Sequence, residues 1–404
     1  MDSGGDASAM VFPGMGPVPF AEAARFLLVN PVARRMTAEA SEVLGYPLID
    51  RWREADGDYS EYAQVAFLVG CLALAEWARE EHGVDARVCA GPSFGGKAAA
   101  VHTGALPFAD GVLMTARWAR FLEDFSAGEH GHVVTQSFAR VPAGELARIT
   151  AELADRGAWH EVSCEVDEDF HMLSLGRDEL DWLGKRIRAA GGLPLYTMYP
   201  PMHVSLFGPL RGRIESEVLG GLRFADPALP LIADQDGRAV DTGEEVRTML
   251  ADGFERPVRW PRVVAALRRH GVGTLYVCGH DALFGRVPVT RRNFTVVPAD
   301  PGRHFAPGGG DRRRRAEDMA AAVVTAAGGG RGDQGAAAAA ISERVFHSTA
   351  GEANVSTVSA SSTKRTPYAF SNAASNSTVP SESSPRSRNA ASSVSVSSGA
   401  RKGS

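Results

Sequence analysis

From about residue 9 to residue 300 the chain alternates short apolar runs of β character with longer stretches of helical periodicity. Strands that arrive one helix at a time cannot pair as hairpins, so this pattern predicts an α/β fold with a largely parallel sheet. One stretch breaks the rhythm. Between about 130 and 197, "HVVTQSFARV" reads as a strand, "AGELARITAELADRG" as a helix, "WHEVSCEVDEDFHMLSLG" as two strands and a turn, "RDELDWLGKRIRAAGG" as a helix and "LPLYTM" as a last strand. β-α-β-β-α-β is the order of a ferredoxin-like module. Residues 130–197 are therefore expected to form a small subdomain inserted into a larger, discontinuous one made of 9–129 and 198–300.

Past residue 300 the character changes. Residues 301–327 read as a linker and one helix, with "RRRR" at 312–315 leading into "AEDMAAAVVTAA"; such a basic run is a solvated helix start or a patch for an acidic partner. From 328 to 404 the chain is mainly Ser, Ala, Gly, Thr and Asn. Too few large apolar side chains remain there to offset the entropy of ordering the backbone, so a disordered tail is expected.

The bulk numbers exclude several classes of function. A chain of 404 residues with 44% hydrophobic and 23% charged side chains has an ordinary globular balance. The formal charge of -5 gives no electrostatic reason to expect nucleic acid. No apolar run reaches the length that crosses a bilayer, and "MDSGGDASAM" lacks the basic and apolar regions of a secretory signal. A cytoplasmic protein is the expectation. Cys71, Cys89, Cys164 and Cys278 are too scattered for a disulfide framework or a zinc site, so buried free thiols and no metal are expected.

The chemistry concentrates at "VCAGPSFGGK", residues 88–97. "ARVCA" reads as a buried strand following the apolar helix "EYAQVAFLVGCLALAEWAREEHG", and a new helix starts at Phe94, so Ser93 falls on a strand-to-helix junction. Gly-x-Ser-x-Gly at such a junction permits the sharp elbow that lifts a hydroxyl out of the backbone and turns the next amide toward a developing oxyanion. The alternative is a glycine-rich loop with a structural serine. A nucleophilic serine needs a base, and the chain has eleven histidines. His82, His160, His270 and His304 have polar, surface-like neighbours; His102 and His171 lie on apolar stretches that suit packed rings. His203, in "YPPMHVSLFGPL", follows the inserted module behind two prolines that restrict the backbone, where the chain re-enters the large subdomain.

Five stretches, in order and spacing, resemble the malonyl-CoA:acyl carrier protein transacylases and the acyltransferase domains of polyketide synthases: "VFPGMG" (11–16), "GPSFGG" (91–96), "PPMHVSLF" (200–207), "RPVRWPRVV" (256–264) and "GVGTLYVCGHDALFGRV" (271–287). The resemblance spans roughly residues 10–300. It implies an α/β-hydrolase-like large subdomain with an inserted ferredoxin-like small one and an active site between them. It further implies Ser93 as nucleophile, His203 as base, the backbone amides of Met15 and Phe94 as oxyanion hole, and the backbone carbonyl of Arg259 as the group that orients the histidine. The implied reaction moves an acyl group from an acyl-CoA or acyl carrier protein thioester, through an acyl-serine, to the phosphopantetheine thiol of an acyl carrier protein, with no cofactor.

The departures from the family bear on the substrate. Met15, Pro92 and Gly96 stand where the family has glutamine, histidine and glutamate. Trp118 aligns with the arginine that the family sets against a malonyl carboxylate, and an indole cannot bind a carboxylate bidentately. Arg117 and Arg120 flank it, but each residue along the helix rotates a side chain by about 100°, so neither points where the family's arginine does; a one-residue shift would bring Arg117 in. Trp118 thus either lines the acyl pocket with Met202, favouring a neutral or larger acyl group, or packs in the core. The competing functions are a serine hydrolase, whether esterase or proofreading thioesterase, on the same Ser93–His203 pair, and a binding protein that keeps only the fold.

Overall fold

The computed structural model describes residues 7–300 apart from 56, 127–130 and 200. The expected linker helix at 301–327, the tail at 328–404 and His304 lie outside the described residues. Strand β1 (Ala7–Val11) leads into α1 (Phe20–Val29), α2 (Pro31–Leu44), α3 (Leu48–Glu54) and the long α4 (Glu61–His82). Ser60 caps α4 by accepting the Ala63 N–H, and Gly83 ends it in the left-handed conformation that glycine adopts without strain. Strand β2 (Ala86–Ala90) follows, then α5 (Gly95–His102) and α6 (Phe108–Ser126).

The middle section folds as β3 (Val133–Ala139), α7 (Ala143–Asp155), β4 (His160–Asp167), β5 (Phe170–Gly176), α8 (Leu180–Ala189) and β6 (Leu193–Met198). Its antiparallel ladder runs β6-β3-β5-β4, the ferredoxin-like order, with a separate core of Phe138, Ile149, Leu173 and Ile187 between sheet and helices. The chain then returns through α9 (Gly208–Glu217), β7 (Leu231–Ile232), β8 (Ala239–Val240), α10 (Gly243–Asp252), β9 (Val258–Arg259), α11 (Trp260–Arg269), β10 (Val272–Cys278), α12 (Pro288–Arg291) and β11 (Thr295–Ala299).

The large sheet has the order β11-β10-β1-β2-β7-β8. Its pairs are parallel except for β7–β8 at the edge. Helices cover both faces, which is why its central strands, "AMV" in β1 and "VCA" in β2, are continuous apolar runs rather than alternating ones. The fold is α/β, with a large hydrolase-like subdomain and an inserted ferredoxin-like one. One strand crosses the division: β9, which lies in the returning chain, pairs in parallel with β4 and extends the small sheet to five strands. All four cysteines are free and buried. Among the described residues no helix is long and apolar enough to cross a membrane.

Candidate active site

The carboxyl ends of the parallel strands converge on Ser93. Phe12, just after β1, donates its N–H to the Ala90 carbonyl at 3.0 Å, locking the two strand ends together. The turn that follows is so tight that only glycine fits beside the serine. A Cβ on Gly91 would fall 2.2 Å from the Gly95 carbonyl oxygen, and one on Gly95 would fall 2.0 Å from that of Phe12. Ser93 itself has φ +56°, in the left-handed region that side-chain-bearing residues avoid. Its N–H donates to Asp234 Oδ2 at 2.6 Å, a charge-assisted bond that holds the strained turn.

His203 is a second non-glycine residue at positive φ, +65°. The serine Oγ lies 2.8 Å from its Nε2. Both subdomains anchor this histidine. The next residue, Val204, donates its N–H to the Phe254 carbonyl at 3.1 Å, and Ser205 donates its N–H to Glu161 Oε2 on β4 at 2.8 Å. Burial drives the His203 pKa down to about 4, opposed by the backbone carbonyl of Gly253. The ring is therefore neutral at physiological pH and able to accept the serine proton at Nε2 when its own proton sits on Nδ1.

The resemblance implies a ring-orienting carbonyl at Arg259. That residue lies on β9, where its N–H donates to the Asp234 carbonyl at 2.7 Å and its guanidinium faces Glu165 at 3.7 Å. Gly253, at the end of α10, is the residue whose backbone opposes the effect of burial on the ring, and Phe254 in the turn after it pins Val204. Nδ1 is fully buried and makes no hydrogen bond among the described residues. No carboxylate hydrogen-bonds the ring either: Asp234, the nearest buried acid in the site, is committed to the Ser93 amide. Burial raises the Asp234 pKa to about 7, against that amide and Arg256, which lower it.

Ser93 and His203 open onto a cavity with about 910 Å³ of empty space, including the part continuous with solvent. Met15 and Phe94 both line it, and among the described residues neither of their backbone amides is drawn into a hydrogen bond. The Gly14–Met15 turn sits over the nucleophile, with a Gly14 Cβ position 3.5 Å from the Ser93 Cβ.

The far wall comes from α6. Trp118 is buried, lines the cavity and also stacks on Phe254 with ring centroids 4.5 Å apart and planes 16° apart. The two readings of Trp118 are thus both true. Met202 lines the cavity as expected. Arg117 does not: it is exposed, turned away by the helical rotation that puts Trp118 inward. Arg120 is also exposed, and its guanidinium is bound to Glu61, with Nη2 2.6 Å from Oε1. Two charged cavity residues were not anticipated. Asp234 is signalled in sequence only by an acid closing the apolar run "PLIAD". Lys97 is the sole charged side chain in "GGKAAAV", in the first turn of the helix that follows the nucleophile. Among the described residues no group of three His, Cys, Asp or Glu side chains could hold a metal.

Comparison with known proteins agrees with this architecture. Residues 137–198 match the model of the VinK acyltransferase small domain. The malonyl CoA-acyl carrier protein transacylase of Escherichia coli K12 is 25% identical over 277 residues, covering 67% of this chain and 88% of its own length. A probable mitochondrial transacylase of that name from Drosophila melanogaster is 26% identical over 294 residues, covering 66% of this chain and 74% of its own. Among solved structures, a malonyl-transacylase in complex with its type II polyketide synthase acyl-carrier protein superposes with a TM-score of 0.64 at 24% identity, covering 72% of this chain and 95% of its own. The transacylase of Coxiella burnetii gives 0.64 at 22% identity, covering 73% and 95%.

The small-domain match and the longer alignments all point to acyltransferases. The chain resembles the malonyl CoA-acyl carrier protein transacylases in fold and, at low identity, in sequence.

Proposed function

We propose that this chain moves an acyl group from a thioester donor, acyl-CoA or acyl carrier protein, to the phosphopantetheine thiol of an acyl carrier protein through an acyl-Ser93 intermediate, acting in trans in polyketide or related biosynthesis. The observation that carries this reading is the 2.8 Å contact between Ser93 Oγ and His203 Nε2 at a strained elbow beside two free backbone amides.

Attack begins as Oγ bonds to the thioester carbon while its proton passes to Nε2. The oxyanion that forms is stabilised by the amides of Met15 and Phe94, aided by the positive end of α5. Collapse breaks the C–S bond, and the imidazolium returns the proton to the departing thiolate. The acceptor thiol then runs the same steps in reverse: it gives its proton to His203, attacks the ester, and Ser93 leaves with that proton. A thioester is exchanged for a thioester, so no cofactor is required to drive the transfer.

The missing acid partner of His203 supports transfer over hydrolysis. A thiol is readily deprotonated by a neutral imidazole, whereas activating water draws more on a carboxylate-backed base. Incubation with acyl-CoA and holo-acyl carrier protein tests the choice: acyl-carrier product is expected, and free acid formed faster than acyl-carrier would establish the hydrolase instead.

A further inference from the structure

Among the described residues Lys97 is the only lysine or arginine lining the cavity. It is 5% exposed. Its ammonium lies 4.6 Å from the centroid of the Phe94 ring and 4.5 Å from that of Trp118, held between two aromatic faces. Among the described residues it makes no hydrogen bond and has no acidic partner. Asp234, the cavity's carboxylate, is engaged by the Ser93 amide, and the Gln64 amide donates to the Tyr59 carbonyl. Burial alone lowers the Lys97 pKa, to about 7.

A buried ammonium without a partner is destabilising, and aromatic faces offset only part of the lost hydration. A methionine would fill the same space at no such cost. The position also has a direction. Ser93 on the elbow and Lys97 in the first turn of α5 face one cavity, so a chain esterified to the serine has this ammonium as the only lysine or arginine group lining that cavity among the described residues.

We propose that Lys97 reads the acyl chain: its ammonium donates to an oxygen acceptor, carboxylate or ketone, carried on the group that Ser93 binds, and the site thereby selects against plain alkyl chains. This inference rests on the acyl-serine reading above. The hydrogen bond that the protein leaves unmade is completed by the substrate, and Trp118 and Phe94 hold the donor in place rather than contacting the polar group.

Three fluorophosphonates of equal tail length, ending in an alkyl, a ketone or a carboxylate group, test it on the full chain. Intact mass reports the rate of Ser93 labelling. With the wild-type chain at least one oxygen-bearing tail is expected to react about tenfold or more faster than the alkyl tail, the size of a charged hydrogen bond. Which tail gains identifies the acceptor. Lys97→Met is expected to bring that ratio to within about twofold of one, and Lys97→Gln to keep part of any preference for the ketone. Equal rates for all three tails on the wild-type chain, or an unchanged ratio in Lys97→Met, overturns the assignment. Failure of every probe to label the wild-type serine would instead remove the acyl-serine reading beneath it.

Discussion

The two ends of the cavity are built by different means. At the reactive end, Ser93 and His203 are placed by backbone: two residues at positive φ, two glycines that nothing larger can replace, and main-chain bonds from Ser93, Val204 and Ser205. At the acyl end, Lys97 on α5 and Trp118 on α6 stand on helices of ordinary geometry and are placed by packing against the rings of Phe94 and Phe254. Reactivity is thus fixed by strain that the fold must hold, and selectivity by side chains that can change without disturbing it. A family built this way can alter its substrate while its chemistry stays the same.

The sharpest way to break this contrast is at the nucleophile. Ser93→Ala is expected to abolish fluorophosphonate labelling and acyl-enzyme formation while leaving the thermal unfolding midpoint close to wild type; an adduct that persists removes Ser93 from its role. Next in size is Gly95→Ala, which should lower stability by about 3 kcal/mol or more, because the new Cβ meets the backbone oxygen of Phe12 rather than a side chain able to move. Denaturant unfolding measures it, and a neutral outcome would mean that the elbow is not the rigid element described.

Titration separates Lys97 from Asp234 with opposite signs. The folded pKa of Lys97, about 7, lies below its ordinary 10.5. Between those values the unfolded chain binds a proton that the folded chain does not, so stability rises with pH from about 7 to 10.5, and the full penalty applies below 7. Lys97→Met should flatten that limb and stabilise the protein at neutral pH, a gain read by thermal unfolding across the range.

The smallest effect belongs to Asp234, whose folded pKa is raised from 3.8 to about 7. Here the folded chain keeps a proton that the unfolded chain loses, so its contribution makes stability fall as pH rises from 3.8 to 7. His203, lowered from 6.5 to about 4, gives a rising contribution between those two values. The comparison of Asp234→Asn with wild type isolates the falling slope; identical pH profiles for the two would show that the carboxyl does not titrate in that window.

The same contrast explains what could be read in the sequence. Ser93 and His203 were legible because backbone geometry is written locally, in Gly91, Gly95 and the prolines ahead of the histidine. The ferredoxin-like module was legible because its strands and helices switch cleanly between two periodicities. β7, β8 and β9 are two residues each, too short to carry any period, so the crossing of β9 onto the small sheet was not. Lys97 in "GGKAAAV" and Asp234 in "PLIAD" acquire their character from helices and strands distant in sequence. Arg117 and Trp118 differ by one step along α6, and only the packing against Phe254 decides which of them turns inward. The carbonyl of Phe254 that holds the histidine loop was hidden for the same reason: its position depends on where α10 stops.

The bond from Ser205 to Glu161 has a consequence for building new enzymes from old ones. The inserted module looks like a self-contained cassette, with its own core and with its first and last strands, β3 and β6, paired side by side, and exchanging it between relatives would be an obvious way to graft one carrier preference onto another. Yet the loop that bears His203 is fastened to that cassette through β4 as well as to its host through Phe254. A transplant that lacks an acceptor at the Glu161 position would leave the base held by one moor instead of two, so the graft boundary belongs after Phe207, with β4 and the histidine loop travelling as a single piece.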